Sequence, residues 1–304
     1  MPVHRPHKST TVRIMNAAVQ LAEQLAPAWV ETKAFQLWGR PRKTRAKWGK
    51  ELAQARAFEL DAGGHALAAW EWNVTGPRGT ALLVHGWSGN ASQLSSFVAP
   101  LVARGHHVLA IDLPSHGAND GHFVTLPMMA DTVLDLGHRL RPRIVIAHSL
   151  GASASIYALT QGLAPERLVA LAPPARLPPY LAHFTQQMGL SDAMLERLLA
   201  RVEQLIRRPV EELDLLRHAS KLGHVRALIV HDRDDVVVPA ASSAELVALW
   251  PAARLVTTEG LSHDRIRRDP KVVEEVVEFA SPSTQPRTQP NIESSAFMSL
   301  SSVD

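Results

Sequence analysis

Short apolar runs alternate with longer stretches of helical spacing through the middle of the chain. Ala81-Leu82-Leu83-Val84 and Ile144-Val145-Ile146 are the clearest runs, with others within 107–112 and 167–171. Apolar runs without polar alternation mark strands buried on both faces. The segments near 92–104, 126–140 and 150–162 read as helices, and the strands they separate span 81–85, 107–112, 143–148 and 167–171. Such alternation predicts a parallel sheet with helices on both sides. Ahead of it, Phe58–Leu60 and Ala66–Trp72 predict a hairpin across Gly63-Gly64. After it, residues 177–223 are mostly helical, with Leu195, Leu198, Leu199, Val202 and Leu205 on or near one face. Residues 224–280 return to two strands and two helices.

The ends differ from this core. Residues 1–54 form a helical, basic leader. Ile14, Ala18, Leu21 and Leu25 recur at spacings of 4, 3 and 4, one face of a helix that Pro27 ends or bends. Six cations follow: Arg40, Arg42, Lys43, Arg45, Lys47 and Lys50, with Trp38 and Trp48 beside them and no acid before Glu51. Two readings of the leader stand. In one, residues 11–26 pack their apolar stripe on the core and 40–50 are a solvated basic linker. In the other, the leader contacts an anionic membrane surface peripherally, and its deletion leaves the ester site working. Residues 281–304, rich in Ser, Pro, Thr and Gln, are expected to be disordered.

Composition narrows the classes. A chain of 304 residues, 46% hydrophobic, can bury a full core. A net charge of +3 is too balanced to argue for nucleic acid. With no cysteine there is no disulfide, no thiolate metal site and no cysteine nucleophile. No apolar stretch reaches the roughly eighteen residues of a spanning helix. Gln20, Glu23 and Gln24 interrupt the segment where a secretory signal would be apolar, so a cytoplasmic location is expected, with possible peripheral membrane contact. No His-x-x-x-His or carboxylate pair of ligand spacing falls on one helix face, so no metal is expected, and the serine chemistry read below needs no cofactor.

Chemistry concentrates at the ends of the apolar runs. Ala147-His148-Ser149-Leu150-Gly151 follows Ile146 and is a small-x-Ser-x-Gly pattern. A serine on a tight strand-to-helix turn projects its hydroxyl above the sheet edge, and small neighbours let the helix pack back on the strand. His85-Gly86-Trp87-Ser88-Gly89 follows Val84. The N–H groups of Trp87 and Leu150 are candidates to hold a developing oxyanion; the Trp87 side chain can instead line an acyl pocket. His85 is read as a support of that loop, His148 as structural with its ring turned from Ser149, and His116 and Asp112 as loop-shaping. Asp232, Asp234 and Asp235 share one loop that ends at Pro239, and His263 stands after Gly260, just past the last strand-like run. An aspartate there can accept the N–H of a histidine and fix its tautomer.

The order Ser149, Asp235, His263 resembles that of the α/β-hydrolase superfamily, in its esterase/lipase-like branch. Asp235 and Pro239 meet the family's Asp-x-x-Val-Pro arrangement, Gly260 and His263 its Gly-x-x-His. Asp112-Leu113-Pro114-Ser115-His116-Gly117 matches its loop after the fourth strand. The resemblance spans roughly 55–280 and implies an α/β-hydrolase fold, a mostly parallel central sheet flanked by helices, with 177–223 as a small helical lid. It implies a serine hydrolase acting on a small-molecule carboxylic ester through an acyl-enzyme, with Ser149 as nucleophile, His263 as base and Asp235 as its partner; Asp234 is the runner-up acid. Thioester hydrolysis, acyl transfer and a catalytically silent binding module stay open. Nothing in the sequence speaks to oligomeric state.

Overall fold

A computed structural model describes residues 10–50 and 54–281. The expected tail falls outside these residues from position 282 on. The hairpin forms from β1 (Arg56–Ala62) and β2 (His65–Trp72), and the two-residue connection Gly63-Gly64 takes positive φ at both positions, as a tight hairpin requires. Six more strands follow: β3 (Thr80–Val84), β4 (His107–Ile111), β5 (Ile144–His148), β6 (Arg167–Leu171), β7 (Arg226–Asp232) and β8 (Ala253–Thr258). They join in the order β1-β2-β4-β3-β5-β6-β7-β8. Pairing is antiparallel at β1–β2 and β2–β4 and parallel at every other junction.

The apolar runs are continuous because the central strands bury both faces. Leu82, Val84, Val145, Ala147 and Leu168 face one layer of the core; Ala81, Leu83, Ile144, Ile146 and Val169 face the other. The first layer is covered by α4 (Leu126–Leu140) and α5 (Ser149–Thr160), the second by α3 (Val98–Ala103) and α10 (Pro270–Ala280). The register is flush at one edge, where Val84 pairs with Ile111 and with Ala147. All chemistry-bearing loops leave the sheet there, at the carboxyl ends of parallel strands.

The helix expected over 92–104 is instead a 3₁₀ stretch, Ala91–Phe97, that kinks into α3. Pro100 explains this: it lacks an N–H and fits only the first turn of an α-helix, so the helix starts at Val98. The segment expected as a lid consists of α6 (Pro178–Met188), α7 (Asp192–Ile206) and three 3₁₀ turns, Val210–Leu213, Leu215–Arg217 and Ala219–Leu222. On α7, Met194, Leu198 and Val202 are buried, whereas Leu205 faces outward. After α8 (Ala241–Leu249), the chain adds a one-turn helix, α9 (Ser262–Arg265), that the sequence reading takes as loop.

The leader departs most from expectation. It is two helices, α1 (Thr10–Leu25) and α2 (Pro27–Trp38), with Pro27 opening the second, where its missing N–H costs nothing. On α2, Val30, Ala34 and Phe35 are buried. Glu31 bridges Arg197 and Arg201 of α7, and the Arg201 guanidinium lies 4.9 Å from the Phe35 ring centroid. On α1 the expected packing is overturned. Ala18, Leu21 and Leu25 are exposed, and the docked face carries Asn16, Val19, Ala22 and Glu23. Polar contacts decide this: Glu23 accepts from the backbone N–H and hydroxyl of Ser191, the cap of α7. Residues 40–50 are no free linker either. The Arg42 N–H donates to Ser88 Oγ (2.9 Å) and the Lys47 N–H to Ser92 Oγ (2.9 Å). Trp48 packs between Trp70 and Trp72, at 5.3 Å from each.

One contact fixes the height of α5 above the sheet. A Cβ on Gly151 would lie 2.0 Å from the His85 carbonyl oxygen, a backbone atom that cannot swing away. Gly151→Ala is expected to cost about 1–3 kcal/mol as overpacking, lowering the melting midpoint by several degrees, at about 2–4 °C per kcal/mol. A thermal scan followed by circular dichroism checks this; an unchanged midpoint would contradict it.

Candidate active site

Ser149 sits between β5 and α5 with φ of 52°, in the left-handed region. For a residue with a Cβ this conformation costs roughly 1–2 kcal/mol, and the packing around the turn enforces it. Gly86 faces it, where a Cβ would lie 2.9 Å from Ser149 Cβ. The hydroxyl is thereby aimed off the sheet edge.

Three of the expected residues meet there. His263 Nε2 lies 2.9 Å from Ser149 Oγ, and His263 Nδ1 lies 2.7 Å from Asp235 Oδ2. A carboxylate only accepts, so Nδ1 carries the proton and Nε2 accepts the serine hydroxyl hydrogen. Asp235 is buried, and burial by itself would raise its carboxyl. Hydrogen bonds from His231, His263 and the Val238 N–H outweigh that and hold it well below the usual carboxylate range. The Val237 and Val238 N–H groups donate to Oδ1 at 2.8 and 2.9 Å.

The neighbouring acids have other partners. Asp232, fully buried, accepts from the N–H groups of Leu261 and Ser262 and from the Thr258 hydroxyl, so it anchors the turn that carries His263. Asp234 accepts from Gly260 N–H at 2.8 Å. Both tie down the histidine segment, Asp232 from a fully buried position.

His148 does more than the sequence reading gives it. Its Nε2–H donates to the His263 carbonyl at 2.9 Å, with the two rings 4.8 Å apart. His231, not singled out from the sequence, sends Nε2–H to the Val238 carbonyl (2.9 Å) and stands 3.3 Å from Asp235 Oδ2, while its Nδ1 meets Ser243 Oγ at 2.6 Å. His85 accepts the Leu113 N–H on Nε2, joining the 85–89 loop to the loop after β4. In that second loop Asp112 accepts from Ala91 and Ala118 N–H groups. Leu150 is in the first turn of α5, whose N–H groups have no intrahelical acceptor. Leu150, Ser149 and Trp87 line the same cavity.

That cavity, about 310 Å³, opens over Ser149 and Leu150. The core supplies Val124 and Leu126, and the lid supplies Leu177, Tyr180 and Phe184. The leader adds Leu37, Trp38 and Arg40, the one charged side chain among the lining residues. The signal for the leader's part was present: Val30, Ala34 and Trp38 recur every four residues after Pro27, a second amphipathic helix. Its destination was not readable. Among the described residues no group of three or more His, Cys, Asp or Glu is arranged to hold a metal, and no helix is long and apolar enough to cross a membrane.

Known proteins place this arrangement in context. Residues 81–276 match the alpha/beta hydrolase family. An esterase of Pyrococcus furiosus, Pf2001, superposes with a TM-score of 0.60 at 20% identity, covering 79% of this chain and 97% of that one. Est1E of Butyrivibrio proteoclasticus, solved with ferulic acid bound, superposes at 0.58 with 21% identity, over 73% of this chain and 97% of its own. In sequence, the dihydrolipoyllysine-residue acetyltransferase component of a Pseudomonas putida acetoin cleaving system is 29% identical over 257 residues, covering 70% of this chain and 69% of the relative.

Three of the buried imidazoles near the site resist protonation. Burial holds His85 and His148 down at about 3 and His116 at about 4, from an ordinary value of 6.5. Below pH 6.5 the unfolded chain takes up protons at these rings and the folded chain does not, so stability falls as pH drops. Each ring contributes a slope of up to about 1.4 kcal/mol per pH unit, about 4 for the three. Urea midpoints measured from pH 7 to pH 4 are expected to fall steeply below pH 6; a constant midpoint to pH 4.5 would contradict neutral buried rings.

Proposed function

This chain belongs to the alpha/beta hydrolase family, and on that premise we propose that it is a serine hydrolase that cleaves a carboxylic ester through an acyl-enzyme. The observation that carries the reading is the continuous hydrogen-bonded line from Ser149 through His263 to Asp235, at 2.9 and 2.7 Å, beneath an apolar cavity. His263 Nε2 takes the proton of Ser149 as Oγ attacks the ester carbonyl carbon. The oxyanion is held by the N–H groups of Trp87 and Leu150. Asp235 stabilises the imidazolium without taking its proton. His263 then gives the proton to the leaving alcohol. A water enters, loses a proton to His263 and attacks the acyl carbon, which frees the acid and returns Ser149.

The apolar lining favours an ester whose acyl or alcohol part is hydrophobic and small enough for the cavity. The naming of the structural relative Pf2001 as an esterase supports ester chemistry. The acetyltransferase named in the Pseudomonas putida relative favours a second reading, in which an alcohol, thiol or amine replaces water in the deacylation step. Adding such acceptors to an ester assay separates the two: transfer gives a new acyl product, hydrolysis only free acid.

Ser149→Ala is expected to lower p-nitrophenyl butyrate hydrolysis by on the order of 10³-fold or more, and to abolish labelling by a fluorophosphonate probe. Activity within tenfold of wild type would remove Ser149 from the reaction, and an unlabelled wild-type chain would point to a silent binding module. Among the acids, Asp235→Asn should cost on the order of 10³-fold in kcat, because the amide holds the wrong histidine tautomer. Asp234→Asn should stay within tenfold, and Asp232→Asn should act mainly on the melting midpoint. Steady-state kinetics with thermal scans of the three variants test that ranking, and its reversal would reassign the acid.

A further inference from the structure

The leader presents an apolar ridge and a cationic strip that nothing in the described structure neutralises. Leu21 and Leu25 on α1 and Trp29 and Leu37 on α2 are 56%, 77%, 60% and 49% exposed, where a docked helix would bury such residues. Trp29, Lys33 and Leu37 line one shallow groove with Met188 of the lid, and Leu37 also lines the cavity over Ser149, next to Arg40. The α2 part of the ridge therefore reaches the mouth of the site. From there the strip continues through Arg42, Lys43, Arg45, Lys47 and Lys50, all exposed. None of these six cations is ion-paired among the described residues. The strip is anchored by its backbone to Ser88 and Ser92, in and just after the loop that carries Trp87, and by the Lys43 ammonium to the Asn119 carbonyl at 2.6 Å.

We infer that this face docks on an anionic lipid surface, with the ridge entering the headgroup layer and the strip pairing with lipid charge. Charge complementarity selects the partner: exposed leucines and a tryptophan edged by unpaired cations are the features of interfacial binding to anionic bilayers. The orientation sets the cavity mouth against the membrane, from which a hydrophobic ester can enter. The inference rests on exposure and charge and stands independently of the ester reading.

The test is co-sedimentation of the full chain with phosphatidylcholine vesicles, with and without phosphatidylglycerol. Point variants are used because removing residues 1–50 would also strip Leu37, Trp38 and Arg40 from the cavity wall. Wild type is expected to pellet with the anionic vesicles and to be released by about 1 M salt, where the screening length is about 3 Å. The triple variant Arg42→Gln/Arg45→Gln/Lys47→Gln should lower the partition coefficient by on the order of 100-fold, from about 1 kcal/mol per cation. Leu25→Ala/Trp29→Ala should weaken binding several-fold at every salt concentration. Thermal scans must show both variants folded as wild type. Recovery in the supernatant with anionic vesicles, equal pelleting with phosphatidylcholine alone, or wild-type binding by the triple variant would each overturn the proposal. So would retention by duplex DNA without vesicle binding.

Discussion

The close approach of α5 to the end of β3 sets everything above the sheet. Gly151 meets the His85 carbonyl where no side chain fits, and Gly86 meets Ser149 in the same way. These two contacts force Ser149 into its left-handed turn and bring the 85–89 loop alongside it. Loosening either would move the serine relative to Trp87 and to His263 together. The flush register of β3, β4 and β5 supplies the rigid edge against which that approach is made.

Around this turn the buried polar groups form a scaffold of mostly single-purpose bonds. Asp232 anchors the histidine turn, His148 holds the His263 carbonyl, and His85 links the two loops beside the serine. All are sealed from water, so each lost partner would leave a desolvated group uncompensated. The cost of neutral histidines in acid follows from the same burial that makes the scaffold stiff.

Much of this was legible. The apolar runs located the central strands because both faces are buried, and the residues at their carboxyl ends located the site because parallel strands deliver their loops to one edge. Ser149 and His263 were readable as candidates from position, Asp235 was separated from Asp232 and Asp234 by its resemblance to the family's Asp-x-x-Val-Pro arrangement, and the structure brings the three within hydrogen-bonding distance. What the sequence hid were contacts that depend on side-chain direction. His148 follows a strand and gave no sign that its ring reaches the His263 carbonyl. The α1 stripe predicted a buried face, but Glu23 and Ser191, remote in sequence, turned the helix over. Pro100 forbade a continuous helix, a signal present in the sequence and outweighed there by apolar spacing.

The leader's attachment has a consequence for how the site opens. Its docking contacts join residues up to 170 positions apart and set partly exposed ion pairs and hydrogen bonds beside the buried Val30, Ala34 and Phe35. Segments held this way have a lower free energy of local opening than the sheet they cover. Undocking of α2 would remove Leu37, Trp38 and Arg40 and leave the eight strands intact. Leu37, Trp38 and Arg40 thus make one wall of the cavity depend on a segment that can part from the fold without separating the strands that position Ser149.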